Sequence, residues 1–246
     1  MITAIEDPRF RVRMIARTPN PQVATWIAMH QDYCEDYVGD DEMFVPDETH
    51  AGHIIVARLL NNDRGHYGPL EHPQITFATG FYPHSVMQQA RTHRIACSFD
   101  VQSGRYTGAR FCKAATGELD IESVFYLRPP GHYKDRQGHH YEYTEAERNR
   151  DKDRCLVAAT LYKERIDAGW AEEHARGLIP FDFRQHFVVS FTARSLMHFL
   201  DLRCKADAQL EIQHLAHSMV STFDEWMPQV AQWYAERRLG RGRLAP

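Results

Sequence analysis

Residues 91–110 read RTHRIACSFDVQSGRYTGAR. Arg91, Arg94, Arg105 and Arg110 bring fixed positive charge, no lysine is present, and Ser98 and Ser103 lie between turns at Gly104 and Gly108. The chain of 246 residues carries a formal net charge of −4, so this positive character is local. A general nucleic-acid or anionic-membrane surface would need an overall basic excess. Within the stretch, Ser103 offers a hydroxyl, Gly104 permits close backbone approach and Arg105 offers a planar fork, a set suited to phosphate or another anion. The preceding HSVMQQARTHR, residues 84–94, reads as a helix in which Arg91 and Arg94 share a face and His93 points elsewhere.

Working outward, two later segments also carry cations in apolar settings. HARGLIPFDFRQHF at 174–187 holds Arg176 before a proline, and FTARSLMHFLDLRCKADAQLEI at 191–212 holds Arg194, His198 and Arg203. Leu196, Phe199, Leu200 and Leu202 form the apolar side of that helix, so an arginine at its end needs an acceptor. Asp207, Glu211 or an anionic ligand would each serve.

The flanking pattern mixes strands and helices without βαβ alternation, which predicts an α+β fold, with one domain over residues 1–246. Helices are expected after Asn20 as N-cap with Pro21 following, and from Asp47 through residues 53–60. Residues 64–74 read as a Gly/Pro loop and 74–81 and 186–191 as strands. SVFYLRPP at 123–130 also reads as a strand, and 131–143 as loop or hairpin. Thr144 and Glu147 form a capping-box signature for a long helix ending near Gly169, and a short helix at 170–178 stops before Pro180. A last long helix is expected from Asp207, with Ile212, Leu215, Ala216, Met219, Val220 and Phe223 as its apolar stripe.

The five cysteines are odd in number with no CxxC pair, which fits reduced thiols. No signal-peptide h-region opens the chain, and no run reaches the roughly 18 apolar residues of a membrane span. The expectation is a cytoplasmic protein. Among fifteen histidines, His139–His140 and His50/His53 lack further ligands at metal spacing, so no metal is expected.

Taken in order, HYGPLEH (66–72), THR (92–94), SGRY (103–106), ARGLIP (175–180), ARSLMHFLDLR (193–203) and AQLEI (208–212) resemble the flavin-dependent thymidylate synthases. The resemblance implies a central, mainly antiparallel sheet flanked by long helices, and a homotetramer whose active sites are shared between subunits. It implies FAD as cofactor, dUMP as substrate, methylenetetrahydrofolate as carbon donor and NADPH as reductant. By position, His66, Arg91 or Thr92, His93, Arg94, Thr192, Arg194 and His198 correspond to cofactor-binding positions. Gln89, Ser103, Gly104 and Arg105 correspond to the nucleotide-binding set, joined by Arg176 from another subunit, and Arg203 to the catalytic arginine facing the uracil imide. The family uses no cysteine nucleophile, so Cys97 needs no catalytic role.

The chain departs from the family pattern at named places. Thr92 fills the first arginine of the RHR motif, with Arg91 one residue earlier, and residues 95–102 make the spacer to Ser103 one longer. Val101 stands where Glu is common and Thr192 where Asn is. These changes leave room for a ribonucleotide, so the alternative is a UMP C5-methylase of a modified-nucleoside pathway. A different class, a nucleic-acid-binding module using these arginines with Phe99, Tyr106 and Phe111, runs against the net charge. Ser103 as a nucleophile lacks a recognisable base.

Overall fold

The computed structural model describes residues 5–40, 44–61, 66–135 and 137–241. Arg64 and Gly65, the start of the expected 64–74 loop, lie outside them, as do the first four residues of the segment read for a signal peptide. The main sheet has four strands in the order β1-β2-β6-β3: Arg11–Arg17, Gln74–Pro83, Arg184–Thr192 and Cys97–Val101. Hydrogen bonds running in opposite number order make β2 and β6 antiparallel: Thr76 Oγ1 to Ser190 Oγ at 2.9 Å, and Thr79 Oγ1 to the Phe187 carbonyl at 2.9 Å. β3 is antiparallel to β6 by the same reasoning, since Thr192 N donates to Ala96 O and Gln102 N to His186 O. Inward-facing Ile75, Phe77, Phe187, Val189 and Phe191 explain why the two central strands are the apolar ones. β1 and β3, at the edges, were not legible as strands.

The chain divides into two compact units. The first comprises Met1–Arg11, Thr79–Thr92 and Asp100–Val188. It contains α3 (His84–Ala90), α4 (Ala109–Ala115), the long α5 (Glu145–Asp167) and the short α6 (Glu172–Ala175). The Thr144–Glu147 capping box forms as read, and Gly169 follows the helix at a φ of 79° that favours glycine. Its core joins Phe111, Phe125, Cys155, Ala159 and Tyr162. Within the 131–143 tract, β4 (Gly131–Lys134) pairs antiparallel with β5 (His140–Tyr143).

Two expectations fail in this unit. SVFYLRPP is not a strand: a 3-10 turn at Ile121–Ser123 leads to a single bridge, Phe125 to Phe183. Pro129 and Pro130 lack N–H donors, and the Arg128 carbonyl is taken by Arg148 Nε at 3.0 Å, so no ladder extends. The helix of residues 84–94 stops at Ala90, so Arg91 and Arg94 do not share a helical face. Arg184, 1% exposed, is held by Asp7 at 2.5 Å and by the Glu122 and Phe81 carbonyls at 2.6 and 2.8 Å, which satisfies a buried charge.

The second unit comprises Val12–Ala78, His93–Phe99 and Val189–Pro246. α1 (Pro21–Gln31) begins at Asn20, but Asn20 adopts a left-handed φ of 46° with no side-chain cap. The Glu48 carboxylate caps it instead, accepting from Gln22 N at 2.7 Å and Val23 N at 2.9 Å. α2 (Glu48–Ile55) starts at the expected Asp47, whose side chain caps it, and runs into a π-helical turn at Val56–Leu60. α7 (Ala193–Arg203) follows β6 directly. The last long helix is two, α8 (Leu210–Trp226) and α9 (Pro228–Arg237), because Pro228 cannot continue the first. The α8 stripe is buried apart from the partly exposed Val220. The fully buried Asp201 pairs with Arg238 at 2.6 Å. All five cysteines are free thiols.

Gly108 supplies a stability test. A Cβ there would overlap Tyr162 Oη. Gly108→Ala is expected to lower unfolding free energy by about 1–3 kcal/mol in urea titration. Tyr162→Phe in the same chain should recover most of that loss, because the ring carbon left behind is 3.1 Å away and can give slightly.

Candidate functional site

The first unit holds an open cleft of about 540 Å³. Arg91, Ser103, Gly104 and Arg176 line it together with Gln88, Val101 and Phe183. Gly104 lies beside Arg176: a Cβ there would sit 3.8 Å from Arg176 Cδ, an ordinary contact. Ser103 sits in a tight turn, its carbonyl accepting from Thr107 Oγ1 at 2.9 Å and its Oγ from Arg105 N at 3.3 Å. One wall is a polar chain. Gln185 Nε2 donates to the Gln102 carbonyl at 3.0 Å, Gln185 Oε1 meets His84 Nδ1 at 2.6 Å, and His84 Nε2 meets Gln88 Nε2 at 2.6 Å. That chain satisfies each imidazole nitrogen once, which fixes the ring.

Behind the cleft-lining Phe111 and Phe183 rings lies Arg110, its guanidinium 5.1 and 5.6 Å from their centroids. Its Nε and Nη2 are buried with no partner among the described residues, and burial draws its pKa down to about 10. This desolvated cation gives the unit a field that favours an anion. Arg105 is exposed and turns its Nε to Glu173, 3.5 Å away.

In the second unit, His93 and α7 form a cationic cluster. Arg203 Nε donates to His93 Nε2 at 3.0 Å. The His93 ring meets His198 at 5.3 Å and Phe199 at 5.1 Å, both edge-on. His93 is only 7% exposed, and its Nδ1 has no partner among the described residues. Burial, then Arg203, then His198 push its pKa down to about 4, so the imidazole is neutral at physiological pH. Burial also lowers the Arg203 pKa. Arg194 Nη1 reaches Glu71 at 2.6 Å, and Cys97 Sγ donates to the His93 carbonyl at 2.8 Å.

The expected residues therefore sort by unit. Ser103, Gly104 and Arg176 share the cleft, with Arg176 of the same chain where the resemblance implied a second subunit, and Arg91, expected among the cofactor positions, lines this cleft as well. Gln89 is not among the lining residues while Gln88 is, since one residue along a helix turns the side chain by about 100°. Arg105 flanks the cleft, and Thr92 turns its hydroxyl back to the Gln89 carbonyl at 2.7 Å. His93, Arg194, His198 and Arg203 belong to the second unit, as does the exposed Arg94. Thr192 is the N-cap of α7, accepting from Ser195 N at 3.2 Å. His66 is exposed beside Asp32 at 3.7 Å and Tyr33 at 3.4 Å. His84, Gln102, Arg110 and Gln185 were missed. Gln185, 4% exposed in a strand of apolar inward positions, was the available signal.

Comparison with known proteins identifies the family. A family model described as thymidylate synthase complementing protein matches residues 13–229. The flavin-dependent thymidylate synthase of Halobacterium salinarum is 35% identical over 250 residues, covering 96% of this chain and 100% of that one. The flavin-dependent thymidylate synthase of Haloarcula marismortui is 31% identical, covering 96% and 99%. A crystal structure of a UMP/dUMP methylase PolB from Streptomyces cacaoi bound with 5-Br dUMP aligns with a TM-score of 0.69 at 22% identity, over 96% of this chain and 97% of that one, a likeness of fold. A family match over most of the chain, with relatives aligned almost end to end, places it in the thymidylate synthase complementing protein family as a methyltransferase of the flavin-dependent thymidylate synthase type.

Proposed function

We propose that the protein methylates uracil C5 of dUMP to give dTMP, with FAD as cofactor, methylenetetrahydrofolate as carbon donor and NADPH as reductant. The observation that carries the reading is the cleft in which Ser103, Gly104, Arg91 and Arg176 converge, of a volume ordinary for a small-molecule site. Those groups suit a phosphate monoester: guanidinium forks, a hydroxyl and an approachable backbone. The chain's homologues carry the name flavin-dependent thymidylate synthase, which supports both the reaction and the cofactor.

The second unit's residues fit a flavin. His93 presents a buried nitrogen with no partner among the described residues, and Arg94 and Arg194 add positive charge for phosphate or electron-rich ring atoms. When bound, the reduced flavin supplies the hydride that completes the methyl group. Arg203 faces the uracil imide in this reading. As C5 becomes nucleophilic, negative charge develops on the ring, and a guanidinium stabilises it without giving up a proton. Homotetramer assembly and a cytoplasmic location complete the proposal; the free thiols support a reducing compartment.

The second reading is methylation of UMP. It draws on Val101, which lines the cleft where the family commonly has Glu, and on the fold neighbour that is a UMP/dUMP methylase. A single 2′-hydroxyl separates the two substrates, and a cleft built to hydrogen-bond it would discriminate strongly. Turnover of dUMP and UMP by the purified protein, with both cosubstrates supplied and the product identified, decides between them. A higher kcat/KM for dUMP is expected, and a preference for UMP would move the assignment to the alternative.

Arg176→Ala should raise the KM for the nucleotide by roughly 10–100-fold, the loss of a charge-assisted hydrogen bond. The flavin absorbance per chain should stay unchanged. Arg105→Ala should do less, because Arg105 is exposed and its Nε is turned to Glu173.

A further inference from the structure

The His93–Arg203 contact has a chemical direction. An arginine Nε carries a hydrogen and no lone pair, so it can only donate. At 3.0 Å from His93 Nε2 it requires that nitrogen to present its lone pair. A neutral imidazole has one proton, which must then sit on Nδ1. That Nδ1 is buried and has no partner among the described residues. The nearby His93 carbonyl is already taken by Cys97 Sγ. The ring is confined between the edges of His198 and Phe199, so turning it would break the Arg203 bond.

We propose that Arg203 is a positioning residue for His93 in addition to its substrate role: it locks the imidazole as the neutral Nδ1–H tautomer, and His93 thereby donates a hydrogen bond to an acceptor atom of the bound flavin. The identity of the acceptor rests on the flavin reading given above; the tautomer rests on geometry alone. A donor of fixed orientation favours carbonyl oxygen, imine nitrogen or phosphate oxygen and rejects an N–H. The groups facing His93 are Arg203 and His198 from α7 and the Cys97 thiol from β3. Burial first, and then the Arg203 charge, oppose protonating Nε2, which would also remove its lone pair, and the pKa drawn down to about 4 agrees with that direction.

The test uses the full-length chain, labelled with 15N-histidine and freed of flavin. Long-range 1H–15N correlation at pH 7 should show His93 with a protonated Nδ1 and a lone-pair Nε2, unchanged down to pH 5. Arg203→Ala should mix the tautomers and bring the titration up toward the ordinary histidine range. Arg203→Lys, which keeps a donor, should preserve the Nδ1–H form and serves if the alanine variant does not fold. In FAD titrations, His93→Asn, whose amide can occupy the Nδ1 position, should keep affinity within about threefold, while His93→Gln should lose about tenfold. An Nε2–H tautomer, or an Arg203→Ala spectrum identical to wild type, overturns the lock. Equal FAD affinity in the Asn and Gln variants overturns the donor role. A wild-type chain that shows the lock but binds no FAD contradicts the flavin reading and leaves the tautomer assignment standing.

Discussion

The antiparallel pairing of β2 with β6 is the constraint from which the position of the chemistry follows. Thr76–Ser190 and Thr79–Phe187 fix the register, and a slip of one residue would turn Phe77, Val189 and Phe191 out of the core. Both strands feed helices without a long loop. β6 ends at Thr192, whose hydroxyl caps α7, so Arg194, His198 and Arg203 issue from a helix whose start is fixed by a strand end. β2 ends at Pro83, and α3 begins at His84, which sets Gln88 and His84 in the cleft wall. Rigid elements thus carry the side chains that must be held in place, which is how a site keeps its geometry before a ligand arrives.

Electrostatics within each unit follow from burial. The chain is net negative, yet the first unit buries Arg110 without a carboxylate partner among the described residues, and the second faces Arg203 with a neutral His93. Where a buried cation serves only packing, the chain provides an anion, as Arg184 with Asp7 and Arg238 with Asp201 demonstrate. The contrast makes Arg110 the informative cation: in a low-dielectric setting a guanidinium with no carboxylate partner among the described residues is costly unless an anion visits.

Much of this was legible in sequence because it depends on local chemistry. The Thr144–Glu147 capping box, the helix start at Asp47 and the α8 stripe are short-range patterns, and each formed. The strand at 123–130 failed because pairing depends on a distant partner, and Pro129, Pro130 and Arg148 remove what a ladder needs. Asn20 has the residue type of a cap, but Glu48, distant in sequence, does the capping. At the site, Ser103, Gly104 and Arg176 line one cleft of this chain, whereas the resemblance implied Arg176 from a second subunit, a placement that motif spacing does not encode. The His84–Gln185–Gln102 chain and the choice of Gln88 over Gln89 were hidden, since they depend on helix phase and strand register.

The most direct measurement is a crystal structure of the full chain grown with FAD and 5-bromo-dUMP. The expected result has the nucleotide phosphate held by Ser103, the Gly104 backbone and Arg176, with flavin density against His93 and a hydrogen bond to its Nδ1. Density for either compound elsewhere, with Arg176 and Arg203 turned to bulk water, would contradict the assignment of these residues to nucleotide and flavin.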